Sequence, residues 1–518
     1  MSLLGVDVGT TACKAGAVRE DGTLIASAYA EYTIQEPRPG WAELDAAEVW
    51  EKVQQVISRV AAACQTDPVQ ALSVSSLGEA VVPVSADRRI LGPSVLNFDV
   101  RGEEYLPQIG AGLSPEAFYG ITGLTLTNAL GLPKLLWIRE HQPRLYEQTH
   151  RFLPWGSFVG FMLGADPVVD YSLASRLLCF DIDHGRWWRE MLDHVGFDID
   201  KLPVTVPTGT AIGTVSDAVA ARLGLPKGVA IMAGCHDQCA NAVGSGAIDE
   251  GPAACGMGTY FCITPSFGTR RAPELMIERG LNTEHHAVPG QYVTFIYNQG
   301  GALLRWFRDT FAAVEHQRAA REGRDVYAEL IAEVPAGPSE VMVLPHFVAT
   351  GPPEFVTDSA GVLTGVRLGT KRGDILKGIM EGVVYYLREC VENLSETGIE
   401  ISEYRAAGGG SRSDVWLQIC ADIIGQPFTR VTQNEAGIVG CAIVAGVGSG
   451  KFASYEDGVA AMVRLDRTFT PDTRQHELYQ ERFEHYRALW PLMRDYMRKL
   501  TTLSRLGTNR ATSGSCSR

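Results

Sequence analysis

The sequence predicts an α/β protein built as a two-domain clamp around a nucleotide, and three observations predict it. The chain has 518 residues, too many for one core, so two domains of roughly 200–250 residues are expected. Strand-like apolar runs alternate with helical spacing along its length. One short device also occurs twice. Leu4-Gly5-Val6-Asp7-Val8-Gly9-Thr10-Thr11 and Ala254-Cys255-Gly256-Met257-Gly258-Thr259-Tyr260 each set a Gly-Thr pair after an apolar strand. In such a turn glycine lets the backbone approach a ligand, and threonine and the turn amides donate to phosphate oxygens. Thr10, Thr11, Gly258 and Thr259 are therefore phosphate-binding candidates, and phosphoryl transfer is the chemistry to test.

The elements follow in order. Leu3–Val8 reads as a buried strand, and Ala15–Arg19 and Leu24–Ala28 flank the turn Glu20-Asp21-Gly22, so the chain opens with a β-meander. Asp45 caps a helix whose apolar face is Val49, Val53, Val56, Ile57 and Val60. Gln70–Ser75 is a strand, and Val229–Gly234 is another, ending at Cys235-His236-Asp237-Gln238. Asp374 caps a long helix to about Thr397, stopped by Gly398. Tyr404–Ala407 leads into Gly408-Gly409-Gly410, and Val415–Ile424 is a helix. The junction is expected near Gly244–Gly251, giving domains 1–246 and 247–500. A tail of residues 501–518, rich in Ser, Thr, Gly and Arg, is expected to be disordered.

Composition narrows the function classes. With 46 Lys+Arg against 60 Asp+Glu the formal net charge is −14, which argues against nucleic-acid and anionic-membrane partners. No run reaches the roughly 18 apolar residues of a membrane span, and the start lacks a signal-peptide pattern. The 11 cysteines are scattered in apolar contexts with no CxxC pair, which reads as reduced thiols in a cytoplasm. Gly446-Val447-Gly448-Ser449-Gly450-Lys451-Phe452 imitates a phosphate loop. It follows a helix rather than a strand, and Phe452 replaces the Ser or Thr that would meet Mg²⁺, so it reads as a helix end and turn.

The motifs taken together resemble the FGGY family of carbohydrate kinases. The resemblance rests on GVDVGTT with Lys14 at the start, and on Pro39-Gly40-Trp41-Ala42-Glu43 before the first helix. It continues through Gly361-Val362-Leu363-Thr364-Gly365-Val366 to Asp374 and Glu381, with Gly378 where the family has Ala or Ser. Lys134-Leu135-Leu136-Trp137-Ile138 fits a looser signature in which Gly131 departs from the pattern. Ala407-Gly408-Gly409-Gly410-Ser411 and Gly440-Cys441-Ala442-Ile443-Val444-Ala445-Gly446 match the adenosine-binding part. The resemblance covers roughly residues 3 to 490. It implies two RNase-H-like domains of the actin/hexokinase/Hsp70 type with an interdomain active-site cleft. It also implies ATP and Mg²⁺ as cofactors and a small sugar or polyol as acceptor.

Site residues follow from both readings. A carboxylate after a buried strand caps its turn or meets a cation; the resemblance implies that Asp7 orients Mg²⁺, directly or through water. Lys14 is a phosphate ligand or a salt-bridged lysine. Asp237 ends an apolar strand, where open α/β sheets bind ligands, and by resemblance it is the general base that accepts the hydroxyl proton. Its neighbour His236 is expected to face elsewhere, while Gln238 joins the substrate side. Glu79 occupies a sugar-binding position by alignment, and Asp99 with Arg101 forms a substrate clamp or a structural ion pair. Gly301, Gly409, Gly410 and Ser411 align with the nucleotide side, and Asp414 contacts the ribose or base edge or is simply solvated. A ketopentose such as xylulose leads as acceptor. Glycerol or another polyol and an autoinducer-type substrate follow, and a non-catalytic ATPase clamp of the actin/Hsp70 superfamily is the rival class. The absence of the Met-His pair of xylulokinases at Leu77-Gly78-Glu79 leaves the sugar open, and a homodimer stays open as the assembly.

Overall fold

The computed structural model describes residues 2–513 and contains two large sheets built on one plan. In the first, Ser2–Val8 forms a hairpin with Ala12–Arg19, which pairs on with Leu24–Glu31. On its other side Ser2–Val8 runs parallel to Val69–Ser76, then Ala230–His236 follows in parallel and Ala211–Thr214 closes the edge antiparallel. In the second sheet Gly251–Met257 forms the hairpin with Tyr260–Phe267 and runs parallel to Ile401–Ala407. Phe428–Val431 adds in parallel, and Leu465–Phe469 closes that edge antiparallel. The duplication read from the two Gly-Thr turns is thus a duplication of whole sheets. Both turns connect the first two strands of their sheet, and both parallel neighbours end on the same side.

Local chemistry explains the elements. Asp45 accepts from the Ala47 and Glu48 amides and starts the helix Ala46–Ala63. That helix buries Val49, Trp50, Val53, Val56, Ile57 and Val60 under the first sheet, each large side chain contributing about 1.5–3 kcal/mol. The helix Arg372–Ser395 begins one turn earlier than the sequence predicts: Lys371 is the cap, and Asp374 accepts from the Lys371 amide as the returning half of a capping box. The glycine-rich imitation loop is the end of the helix Ala436–Gly448, with Lys451 3.7 Å from Glu20. Where the sequence predicts a disordered tail from Thr501, the last helix runs Thr473–Ser513; residues 514–518 lie outside the described residues.

One packing feature positions the site. The helix Ala436–Gly448, late in the chain, lies on the first sheet and crosses the helix Asp237–Ser245. The crossing is as close as backbones allow. A Cβ on Gly244 would lie 1.8 Å from the Ala436 carbonyl oxygen, and one on Gly440 1.9 Å from that of Ala240. Only glycine fits either position, so this late helix is tied closely to the first sheet.

Candidate active site

Asp7 comes at the end of the first strand, in register with Lys14 on one side and Ser75 on the other. Its Oδ1 accepts from Ser75 Oγ at 2.7 Å. Burial pushes its carboxyl above the usual range against the pull of Ser75 and Lys14, and Glu435 adds to the push. The following turn is held open by Tyr32, whose hydroxyl donates to the carbonyls of Gly9 and, at 2.9 Å, Ala12. Thr10 and Thr11 stand at its tip, half-buried and exposed.

Asp237 is the first residue of its helix, directly after the strand Ala230–His236. About a quarter of its side chain meets solvent (25%), and one oxygen lies 3.3 Å from His236 Nε2. Burial, then the nearby charge of Asp7, pushes its carboxyl up to about 7, against the pull of Gln238 and Arg176. His236 does not face elsewhere. The strand ends and the helix begins between the two residues, so strand alternation does not separate them. Burial, with Arg176 nearby, holds the imidazole far below its ordinary value and therefore neutral.

A cavity of about 210 Å³ opens between the halves of the chain. Asp7, Lys14 and Gln238 line it from one half, and Gly256–Gly258, Gly408 and Glu435–Ile438 from the other. Asp7 and Lys14, which flank the first Gly-Thr turn, thus share one space with Gly258 of the second. Lys14 Nζ pairs with Glu435 across it at 2.8 Å. The second turn is braced from behind: the amides of Gly301 and Ala302 donate to Gly258 and Thr259 carbonyls at 3.0 and 3.1 Å. A Cβ on Gly301 would lie 2.5 Å from the Gly258 oxygen. Gly301 thus holds the loop, its own amide already engaged.

Other expected site residues are engaged within the chain. Asp99 and Arg101 are paired with each other. Asp99 is 1% exposed, and its oxygens accept from the Ala42 amide at 2.6 Å, the Arg101 amide at 2.8 Å and the Arg101 guanidinium. Arg101 also pairs with Glu43 at 2.6 Å and lies over the Trp41 ring. One guanidinium thus serves two carboxylates in the first half, the arrangement of a structural ion pair. Asp414 is likewise engaged, by Arg430 and by Arg467 at 2.8 Å. Ser411 is fully buried and donates to the Gly408 carbonyl at 2.8 Å, which closes its own turn. Gly409 and Gly410 sit in that turn, with Gly410 against Met257 of the second loop.

Arg176, whose charge acts on Asp237, is paired with the buried Glu79 and also reaches Glu284 in the second half of the chain. No motif marks Arg176 or Glu284, because their pairing depends on contacts 97 and 108 residues apart. For a divalent cation the protein offers Asp7, one of whose oxygens is not taken by Ser75. Among the described residues no cluster of three or more His, Cys, Asp or Glu could hold a metal. This donor set fits Mg²⁺, which keeps several waters and takes its remaining ligands from substrate phosphates. No helix among the described residues is long and apolar enough to cross a membrane.

Comparison with known proteins agrees with this geometry. The FGGY family of carbohydrate kinases, N-terminal domain, matches residues 2–244, and the C-terminal domain of the same family matches residues 277–449. A xylulose kinase of Bacillus subtilis (strain 168) is 26% identical over 499 residues, covering 95% of this chain and 97% of that protein. A gluconokinase of Bacillus licheniformis is 28% identical over 503 residues, covering 96% of each. The crystal structure of xylulose kinase from Rhodospirillum rubrum superimposes with a TM-score of 0.82 at 28% identity, covering 96% of this chain and 100% of that one. With two actin/hexokinase-like domains enclosing a cleft, the chain belongs to the FGGY family of carbohydrate kinases and is a carbohydrate kinase acting on a small sugar.

Proposed function

We propose that this kinase transfers the γ-phosphoryl group of ATP to one hydroxyl of a small ketose, with a ketopentose such as xylulose as the leading acceptor. The observation that carries the reading is the position of Asp237. It stands near Asp7, which lines the cavity with Gly258 of the second Gly-Thr turn, and near Arg176 of the Glu79–Arg176–Glu284 cluster. ATP phosphates would lie between Thr10–Thr11 and Gly258–Thr259, with Lys14 exchanging Glu435 for a phosphate oxygen. Adenosine would follow the glycine turn at Gly409 and Gly410. Asp7 would hold Mg²⁺, directly or through water, and the ion would supply positive charge to offset the negative charge of the phosphates.

The acceptor hydroxyl would donate its hydrogen bond to Asp237. As its oxygen bonds to the γ-phosphorus, the bond to the β-bridging oxygen breaks, ADP leaves and the hydroxyl proton passes to Asp237. Asp237 then returns that proton to water. A carboxyl held near 7 is suited to this task, because a base works best when its pKa lies near the working pH. His236, its basicity strongly lowered by burial, would position the carboxylate without competing for the proton. Enclosure between the halves would align hydroxyl and phosphorus and keep water from the γ-phosphate. Free buried thiols at all ten described cysteines accord with a reducing, cytoplasmic setting.

A coupled assay for ADP with ketopentoses, ketohexoses, polyols and glycerol tests the reading. Turnover should require one of these acceptors, with a ketopentose best. ATP turnover at the same rate with and without any acceptor would instead support a plain ATPase clamp.

A further inference from the structure

Arg176 follows the short helix Tyr171–Ser175, whose start is capped by Asp170. Its guanidinium joins both halves of the chain, pairing through one terminal nitrogen with Glu79 and through the other with Glu284. The side chains of Arg176, Glu79 and Glu284 are 15%, 10% and 1% exposed. Asn282 donates to the same Glu284 oxygen, Oε1. Gly78 fixes the neighbourhood: a Cβ there would lie 2.6 Å from Arg176 Cγ and 3.0 Å from His236 Cδ2. Phe295 closes one side, 5.1 Å from the His236 ring.

After these contacts three buried polar atoms have no protein partner: Arg176 Nε, Glu284 Oε2 and His236 Nδ1. A buried group left unpaired in this way is costly, so a partner for each is favoured. The set has a definite chemistry. Glu284 Oε2 only accepts, Arg176 Nε only donates, and a neutral imidazole nitrogen does one or the other. Hydroxyls match each of the three in chemistry, since a hydroxyl both donates and accepts. A carboxylate does not. It has no proton for Glu284 Oε2 and meets that oxygen, Glu79 and Asp237 with like charge. The one cation at the cluster is already shared between two carboxylates.

Resting on the kinase reading above, we infer that the Glu79–Arg176–Glu284 cluster selects uncharged polyhydroxy acceptors and rejects sugar acids. Arg176 here is the clasp of two acceptor-side carboxylates, not a receptor for an anionic substrate.

The test compares acceptors matched in length: xylulose, xylitol and fructose against xylonate and gluconate, at saturating Mg-ATP. The neutral set should exceed the acids in kcat/KM by about 10²-fold or more, since a site built to bond hydroxyls strongly rejects ligands that leave it unpaired. Glu284→Gln keeps the shape and removes the charge. It should raise KM for the best neutral acceptor about tenfold with little change in kcat, and narrow the gap to the acids by a similar factor. Its ATP affinity should stay at the wild-type value. Xylonate or gluconate within tenfold of the best neutral acceptor would overturn the inference, as would an unchanged ratio in a folded Glu284→Gln protein that binds ATP normally. If no acceptor supports turnover, the kinase reading fails separately. Calorimetry of the same acceptors on the wild-type protein then decides selectivity: preference for the neutral set upholds it, and equal binding, or no binding of either class, overturns it.

Discussion

Replacing Asp237 by Asn isolates proton transfer from everything else Asp237 does. The amide keeps the size of the carboxylate and can still face His236 Nε2, 3.3 Å away in the native protein. What it loses is the site for the hydroxyl proton. Positioned general bases contribute about 10²–10⁴ in rate, so kcat should fall by that factor, a barrier increase of about 2.7–5.5 kcal/mol. Folding should change far less. As the first residue of a helix, Asp237 gains about 0.3–1 kcal/mol from the helix dipole. Against this stand its desolvation and its repulsion from Asp7, both of which disfavour the charge. The two effects oppose each other, so Tm should move by no more than about 2–4 °C, the shift expected for 1 kcal/mol in a domain of this size. Steady-state kinetics, ATP titration and a melting curve on one preparation separate the outcomes. A folded, ATP-binding Asp237→Asn enzyme that phosphorylates its best sugar near the wild-type rate would refute the assignment of the base.

Other outcomes follow from the same site. EDTA should abolish activity and Mg²⁺ or Mn²⁺ restore it, with Asp7→Ala raising the metal requirement or ending turnover; full activity without divalent ions would contradict this. Glu79→Ala should weaken sugar binding more than ATP binding, and Thr259→Val the reverse; calorimetry showing equal losses for Glu79→Ala would remove Glu79 from the acceptor side. The acid limb of kcat/KM should have its midpoint near the value of about 7 set by burial and Asp7. Asp237 works deprotonated, so activity falls as pH drops through that midpoint. In kcat the midpoint should lie lower, because a cation at Asp7 cancels the repulsion that raises it; coincident midpoints would argue against that charge pair.

What the sequence reveals and conceals has a physical pattern. Asp7, Asp237 and both Gly-Thr turns are legible because each follows its strand within a few residues, so local order dictates their placement. Arg176, Glu284 and the Lys14–Glu435 pair are not, since partners as far as 421 residues apart meet only through the fold. Asp99 and Arg101 look like a substrate clamp because a buried ion pair uses the same residue types. Only their burial and the contacts to Ala42 and Glu43 separate the two roles. Asp414 presents the same ambiguity at a helix start, where Arg430 and Arg467 pair with it. His236 is misread because alternation is applied across a strand that ends at that residue.

Product analysis tests the central claim most directly. Wild-type enzyme with Mg-ATP and its best acceptor should be followed by ³¹P NMR, which resolves sugar phosphate, ADP and inorganic phosphate in one sample. One sugar phosphate should form for each ADP, with little inorganic phosphate, and almost no ADP should appear when acceptor is withheld. Inorganic phosphate matching ADP, at a rate indifferent to the acceptor, would contradict it.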